Sequence, residues 1–156
     1  MAKNVESAND ALVATVERLS DAQWQAITAA EGWSIGVTAH HVAQAYPSLR
    51  RTVATIAAGG SVATTRAMLD QSNAQHAIKS REVRQDETLA ELRHNGAELV
   101  SFLRELTDAQ LEATGHVPLL GAAPVSVEQV IERLVLRHSE VHLESIRQTI
   151  SDDAAE

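Results

Sequence analysis

Cysteine is absent from the chain, which removes disulfides, zinc ribbons and any thiol nucleophile supplied by the protein itself. Sulfur chemistry here could use only a sulfur brought by a ligand. Cationic charge is scarce: 13 Lys and Arg stand against 21 Asp and Glu, for a net charge of -8. No basic run exceeds Arg50–Arg51, so the patch that a nucleic acid or an anionic membrane surface requires is missing. Long apolar runs are missing too. No stretch approaches the roughly 20 residues needed to cross a bilayer, and the polar opening "MAKNVESAND" lacks the apolar core of a signal peptide. The expected setting is that of a soluble, cytoplasmic protein. Aromatic residues make up only 3% of the chain and alternating β-branched runs are few, which leaves an all-α bundle as the economical class. The 156 residues suffice for one domain with a core and not for two comfortable ones.

What is present is Ala, Val and Leu at helical spacing. The first helix carries Val5, Ala8, Leu12, Val16 and Leu19 and ends before Ser20. A second starts after Ser34, a good N-cap, carries Ile35, Thr38, Val42, Ala45, Leu49, Val53 and Ile56, and ends at "AAGGS" (57–61). Pro47 within it predicts a kink or a split, because its ring clashes with the preceding turn. Residues 62–85 have weak periodicity, with a helical piece expected from Arg66 to Ser80. A third long helix holds Leu89, Leu92, Gly96, Leu99, Leu103 and Leu106. The fourth begins at Ser126, whose capping box with Gln129 is a strong start signal, and runs to about Ile150. The domain is therefore read as residues 1–150, with "SDDAAE" (151–156) as a disordered tail.

The chain also echoes itself. "LSDAQWQA" (19–26) matches "LTDAQLEA" (106–113), each with a capping box, and each precedes a loop and then a histidine-bearing helix. Shared turn chemistry accounts for the echo, which predicts a pseudo-symmetric bundle of two hairpins.

Helical phase sorts the seven histidines. In "RHSEVHLESI" (137–146) His138 and His142 lie four apart, so both rings leave the same side of a helix. The stripe Val127, Ile131, Leu134 runs straight into His138, Val141 and His142, turning both rings towards the core. In the second helix His41 lies at the edge of the inner face, roughly 75° from its centre at 100° per residue, and His40 lies nearly opposite, towards solvent. An i,i+4 pair of imidazoles joined by a third from a facing helix forms a candidate metal site. The plainer alternative is hydrogen bonding between His138, His142 and other core polar groups. Other patterns do not fit a site. "HSEVH" lacks the Glu directly after its first His that a zincin motif needs. "ELRH" (91–94) has the spacing of di-iron bundles but occurs once, with His94 opposite the Leu92/Leu99 stripe. His116 falls in the loop "TGHVPLLGAAP".

Three segments in this order resemble a known family. "GWSIGVTAHHVAQAY" (32–46) resembles the Gly-Trp-Ser/Thr, helix, His signature of the DinB/YfiT-like metalloprotein superfamily. "RHSEVHLESI" is similar to its late His-x-x-x-His helix. "LDQSNAQHAIKSREVRQDETLAELR" (69–93) is similar to the middle segment of its mycothiol-dependent maleylpyruvate isomerase branch. The resemblance implies a four-helix bundle with up-down-down-up topology and a divalent metal, zinc or nickel first, held by His41, His138 and His142. It implies an open site, in which three protein nitrogens leave coordination positions for water or substrate. It also implies a low-molecular-weight thiol of the mycothiol or bacillithiol type as cosubstrate. Asn73 and His76 match the middle segment and could line the pocket, with His76 either an extra ligand, a proton shuttle or a plain surface residue. Trp33 could wall the pocket or anchor the core. The chain leaves no room for the additional C-terminal domain of the isomerases, so that particular isomerisation is not expected.

The reading that follows is a metal-dependent S-transferase acting on a small-molecule substrate. Hydrolysis by water in the same site is its first alternative. A non-catalytic metal- or ligand-binding bundle, or a dimerisation module, is the other. Leu136 and Leu143, off the histidine stripe, would permit a homodimer. An open cleft beside the triad favours chemistry, and a sealed one favours structure.

Overall fold

The structure is a computed structural model in which residues 1–153 are described. In chain order the helices are α1 (Ala2–Val16), α2 (Asp21–Gln25), α3 (Ile35–Ala57), α4 (Arg66–Lys79), α5 (Gln85–Glu105) and α6 (Asp108–Glu112), followed by α7 (Val127–Val130) and α8 (Arg137–Asp153). Two-residue strands β1 (Thr114–Gly115) and β2 (Val125–Ser126) pair antiparallel before α7. A π-helical segment, Ile131–Leu136, joins α7 to α8. The expected all-α four-helix bundle is what the chain forms, and no described helix is long and apolar enough to cross a membrane.

Helices α1, α3, α5 and α8 bury their apolar stripes in one core, with Leu12, Val16, Ile35, Ile56, Leu99 and Ile146 fully covered. Side-chain bonds fix the helix directions. Glu6 pairs with Arg104 and Gln85 donates to the Val16 carbonyl, so α1 and α5 run antiparallel. Gln44 reaches Glu91 and Arg50 reaches Glu98, so α3 and α5 run parallel. His41 meets His138 while Glu31, just before α3, meets Ser145, so α8 runs against α3. Two parallel neighbours need a crossover, and residues 58–84 with α4 supply it. Helix α1 packs mainly on α5 and α8, and α3 on the same two helices. Consecutive long helices are therefore not paired as the two hairpins that the internal echo suggests.

The echo instead marks a repeated entry to the histidine helices. Both capping boxes form, at Ser20/Gln23 and Thr107/Gln110. Each short helix then leads to an antiparallel bridge, Ile27 with Ser34 in one case and Thr114 with Ser126 in the other. Ile35 N–H donates to the Ala26 carbonyl at 2.9 Å and Val127 N–H to Ala113 at 3.0 Å. Equivalent serines, Ser34 and Ser126, cap the helices that follow. Trp24 of α2 lies flat against α3 at Gly36, where a Cβ would sit 2.6 Å from the ring, and its Nε1 donates to the Val83 carbonyl. The core-anchoring tryptophan is thus Trp24 and not Trp33.

Three further expectations change. Helix α3 runs through Pro47 as one element. Proline has no N–H for the carbonyl four residues back, but Asn95 of α5 donates to that Ala43 carbonyl at 2.9 Å. The buried stripe of the last helices is Val127, Ile131, Val135, Ser139, Leu143 and Ile146, while Val141, expected inside, is 40% exposed. The wider i→i+5 turns of the π segment shift the phase that an unbroken α-helix would carry forward. Leu143 therefore joins the core and Leu136 packs partly against it. Helix α8 continues through Asp153, and the remainder of the expected tail, 154–156, lies outside the described residues.

Candidate metal centre

The loop before α3 folds back on itself. Thr28 N–H donates to the Trp33 carbonyl and Gly32 N–H to Thr28, both at 2.8 Å. Gly32 has φ +69°, a conformation that glycine adopts without a Cβ penalty. This turn holds Glu31 and Trp33 above the start of α3, and Ser34 then caps the helix by accepting from Val37 N–H. About two turns on, α3 presents His41. Helix α8 presents His138 and His142 one turn apart on the flank beside its buried stripe.

The three rings converge. His138 Nε2 lies 3.0 Å from His41 Nε2, and the ring centroids are 4.7–5.1 Å apart. One nitrogen from each residue lies within 4.8 Å of the others, a grouping that could hold a metal ion. His142 turns its Nδ1 to Glu31 at 2.8 Å, leaving Nε2 free. The other Glu31 oxygen accepts from Ser145 Oγ at 2.6 Å.

Burial and the neighbouring His142 and His76 rings push His41 down to about 3. Burial, with His142 and His41 beside it, holds His138 well below the ordinary histidine range. Both rings are therefore neutral near pH 7, the form in which imidazole binds metal. Burial opposes ionisation of Glu31, but hydrogen bonds from His142, Ser145 and Thr28 outweigh it and hold the carboxyl at about 2. The neutral His41 and His138 rings facing His142, with the Glu31 carboxylate behind it, fit a divalent cation. The carboxylate–histidine pairing is the arrangement that orients a metal-binding imidazole.

His76 comes to this cluster from α4. Its ring lies 5.3 Å from His41 and stacks on His40 at 5.0 Å, and its buried Nε2 has no partner among the described residues. His40 is not turned to solvent as its phase suggested. The crossover helix covers it, and its Nε2 lies 3.3 Å from Glu91. Trp33 stands edge-on to His41 at 5.4 Å and tilted to His76 at 6.3 Å, so it walls the ring cluster. Asn73 lines the cleft described next. His94 is exposed on α5, and His116 sits in the turn after β1, with its N–H on Ser61 Oγ.

The triad opens into a cleft of about 610 Å³ bounded by α3, α4 and the last helices, where His41, His138 and His142 meet Leu49, Leu69 and Leu134. The structure thus brings together all six residues singled out from the sequence, with Asn73 and His76 beside the cleft and Trp33 behind the rings. Sequence reading missed Glu31, which has no periodicity to place it. Its only signal is an acid immediately before Gly32-Trp33-Ser34.

A family model described as the DinB superfamily matches residues 4–146, a span that includes all these residues. Among curated proteins no match is found. The chain is similar to the solved structure titled "YfiT from Bacillus subtilis is a probable metal-dependent hydrolase with an unusual four-helix bundle topology". The two are 19% identical, with a TM-score of 0.75 over 98% of this chain and 85% of the other.

Proposed function

The chain belongs to the DinB superfamily, and on that footing we propose that it is a metal-dependent enzyme acting on a small molecule held in the cleft above His41, His138 and His142. The observation that carries this reading is the opening of a converged three-histidine cluster into a cleft of substrate size. A sealed triad would have supported a structural ion instead. A divalent ion bound there, zinc or nickel first, would supply Lewis acidity that lowers the pKa of a thiol or of water.

The residues around it divide the remaining work. Glu31 holds His142 by Nδ1 and so directs Nε2 inward. Leu49, Leu69 and Leu134 exclude water from the inner cleft. His76 stands beside the triad with a buried nitrogen that has no partner among the described residues.

Transfer of a low-molecular-weight thiol is the leading reaction. No described carboxylate lines the cleft to serve as a strong base, and a thiol, with a pKa of about 8.5 against about 15.7 for water, needs less help to ionise. The thiol gives its proton to solvent, its sulfur bonds to an electrophilic carbon, and the leaving group departs from that carbon with the electron pair of the broken bond. Hydrolysis is the second reading, favoured by the unpartnered His76 nitrogen and by the description of the structurally similar protein.

Elemental analysis of protein purified without a nickel column, beside a His138→Ala/His142→Ala variant, tests the metal. Near-stoichiometric metal in the parent and its loss from a folded variant are expected. Parent protein that holds no metal and takes up neither zinc nor nickel overturns the reading. Metal-loaded protein then separates the reactions, since transfer depends on added thiol and hydrolysis does not.

A further inference from the structure

The walls of the cleft differ in charge from the rest of the molecule. Among the described residues no aspartate or glutamate lines it, although the sequence holds 21, whereas Arg66, Arg133 and Arg137 all do. On the other surfaces Arg50, Arg81, Arg84, Arg93 and Arg104 each reach a carboxylate, and among the described residues Arg18, Arg51 and Arg147 do not. The three cleft arginines form no ion pair among the described residues. Arg133 donates only to the Leu120 carbonyl, at 3.4 Å, which holds it near the mouth.

Helix geometry supports the same placement. Arg133 lies five residues before His138, and in an unbroken α-helix that spacing turns a side chain roughly 140° away. The π segment Ile131–Leu136 spans most of that interval, and its wider turns narrow the angle. Arg133 consequently shares the cleft with Leu134, Arg137 and His138. A guanidinium with no carboxylate neighbour keeps its fork of N–H donors for a ligand, and that fork matches carboxylate and phosphate oxygens.

We propose that the cleft binds a small organic anion, its apolar body along Leu49, Leu69 and Leu134 and its carboxylate or phosphate group on Arg133 and Arg137, with Arg66 at the opposite lip. This deepens the enzymatic reading and rests on it only for which end of the ligand faces the histidines. The anion contact itself needs no ion. It also accounts for an acidic protein admitting an acidic ligand, since three arginines and no carboxylate line the cleft.

The test uses four probes of equal chain length, hexanoate, hexyl phosphate, hexanol and hexylammonium, titrated by NMR into chelator-treated and zinc-loaded protein. In both forms at least one anion should bind about tenfold tighter than hexanol, and hexylammonium more weakly than hexanol. Whichever anion binds tighter identifies the headgroup. Arg133→Gln/Arg137→Gln should abolish the preference, while Arg18→Gln/Arg147→Gln, which removes equal charge elsewhere, should retain it. Equal binding of hexanol and the anions, or a preference that survives in the cleft variant, overturns the proposal. A preference that appears only with zinc and persists without the arginines overturns it too, because the ion is then the anion's partner. Protein that takes up no zinc yet still prefers the anion refutes the metalloenzyme reading and upholds this one.

Discussion

Glu31 sits behind His142 as a nearly buried carboxylate, 2.8 Å from Nδ1, with Ser145 on its second oxygen. That contact fixes the ring so that Nε2 is the nitrogen turned to the other two histidines. Glu31→Ala should therefore weaken zinc affinity about 10–100-fold, and Glu31→Gln, which keeps an acceptor oxygen and loses the charge, should weaken it less. Competition with a chromogenic chelator reads both, and circular dichroism checks that each variant is folded. Unchanged affinity in Glu31→Ala would remove Glu31 from the site. At this scale the sequence was legible where position follows from helical phase. His138 and His142 lie four apart on one helix, so their shared side could be read from spacing, whereas the stripe expected to carry them into the core is not the buried one. Glu31 lies on an irregular turn held by Gly32, where no period exists to read. His40 was misplaced for a different reason: phase locates a side chain on its own helix but not the second helix, α4, that covers it.

Among the elements, α3 shows how a local rule can hold without splitting the helix. Pro47 does remove a hydrogen bond, but the Ala43 carbonyl it leaves accepts from Asn95 of α5 instead. Asn95→Ala should cost about 1 kcal/mol in urea unfolding. In a Pro47→Ala background the restored N–H can serve the same carbonyl, so the same substitution should cost close to nothing. The coupling in that double-mutant cycle is the diagnostic quantity, and two independent, additive losses would show that Asn95 acts some other way. The capping boxes at Ser20, Thr107 and Ser126 were all legible, because they depend on residues three apart in sequence. The π segment was not. Nothing in "IERLVL" departs from ordinary helical composition, so Val141 was placed inside and Leu143 outside. Helix pairing was equally hidden from spacing, since it depends on the long crossover through α4 and not on any one helix, and only the family resemblance implied a topology.

The whole molecule sets two acid responses against each other. With a net charge of -8, its carboxylates repel, and mild acidification that neutralises some of them would stabilise the fold if net charge governed stability. The buried histidines oppose this. Burial holds His41 at about 3 and His138 well below its ordinary value, and it also lowers His40 and His76. As pH falls through about 6.5 the unfolded chain takes up protons at these positions that the folded chain refuses, so stability declines by up to roughly 1.4 kcal/mol per pH unit for each ring that stays neutral. Glu31, whose folded value is about 2 against 4.5, adds stability that is present above pH 4.5 and lost as pH falls towards 2. Metal-free protein should therefore show a urea midpoint that is flat above about pH 7.5, falls below 6.5 and falls more steeply below 4.5. In His41→Gln/His138→Gln the decline between 6.5 and 4.5 should flatten. Zinc should steepen it in the parent, because each proton taken up at a ligand competes with the ion. A midpoint that rises on going from pH 7 to 5 would mean that charge repulsion outweighs the buried rings, and that His41 and His138 accept protons in the folded state.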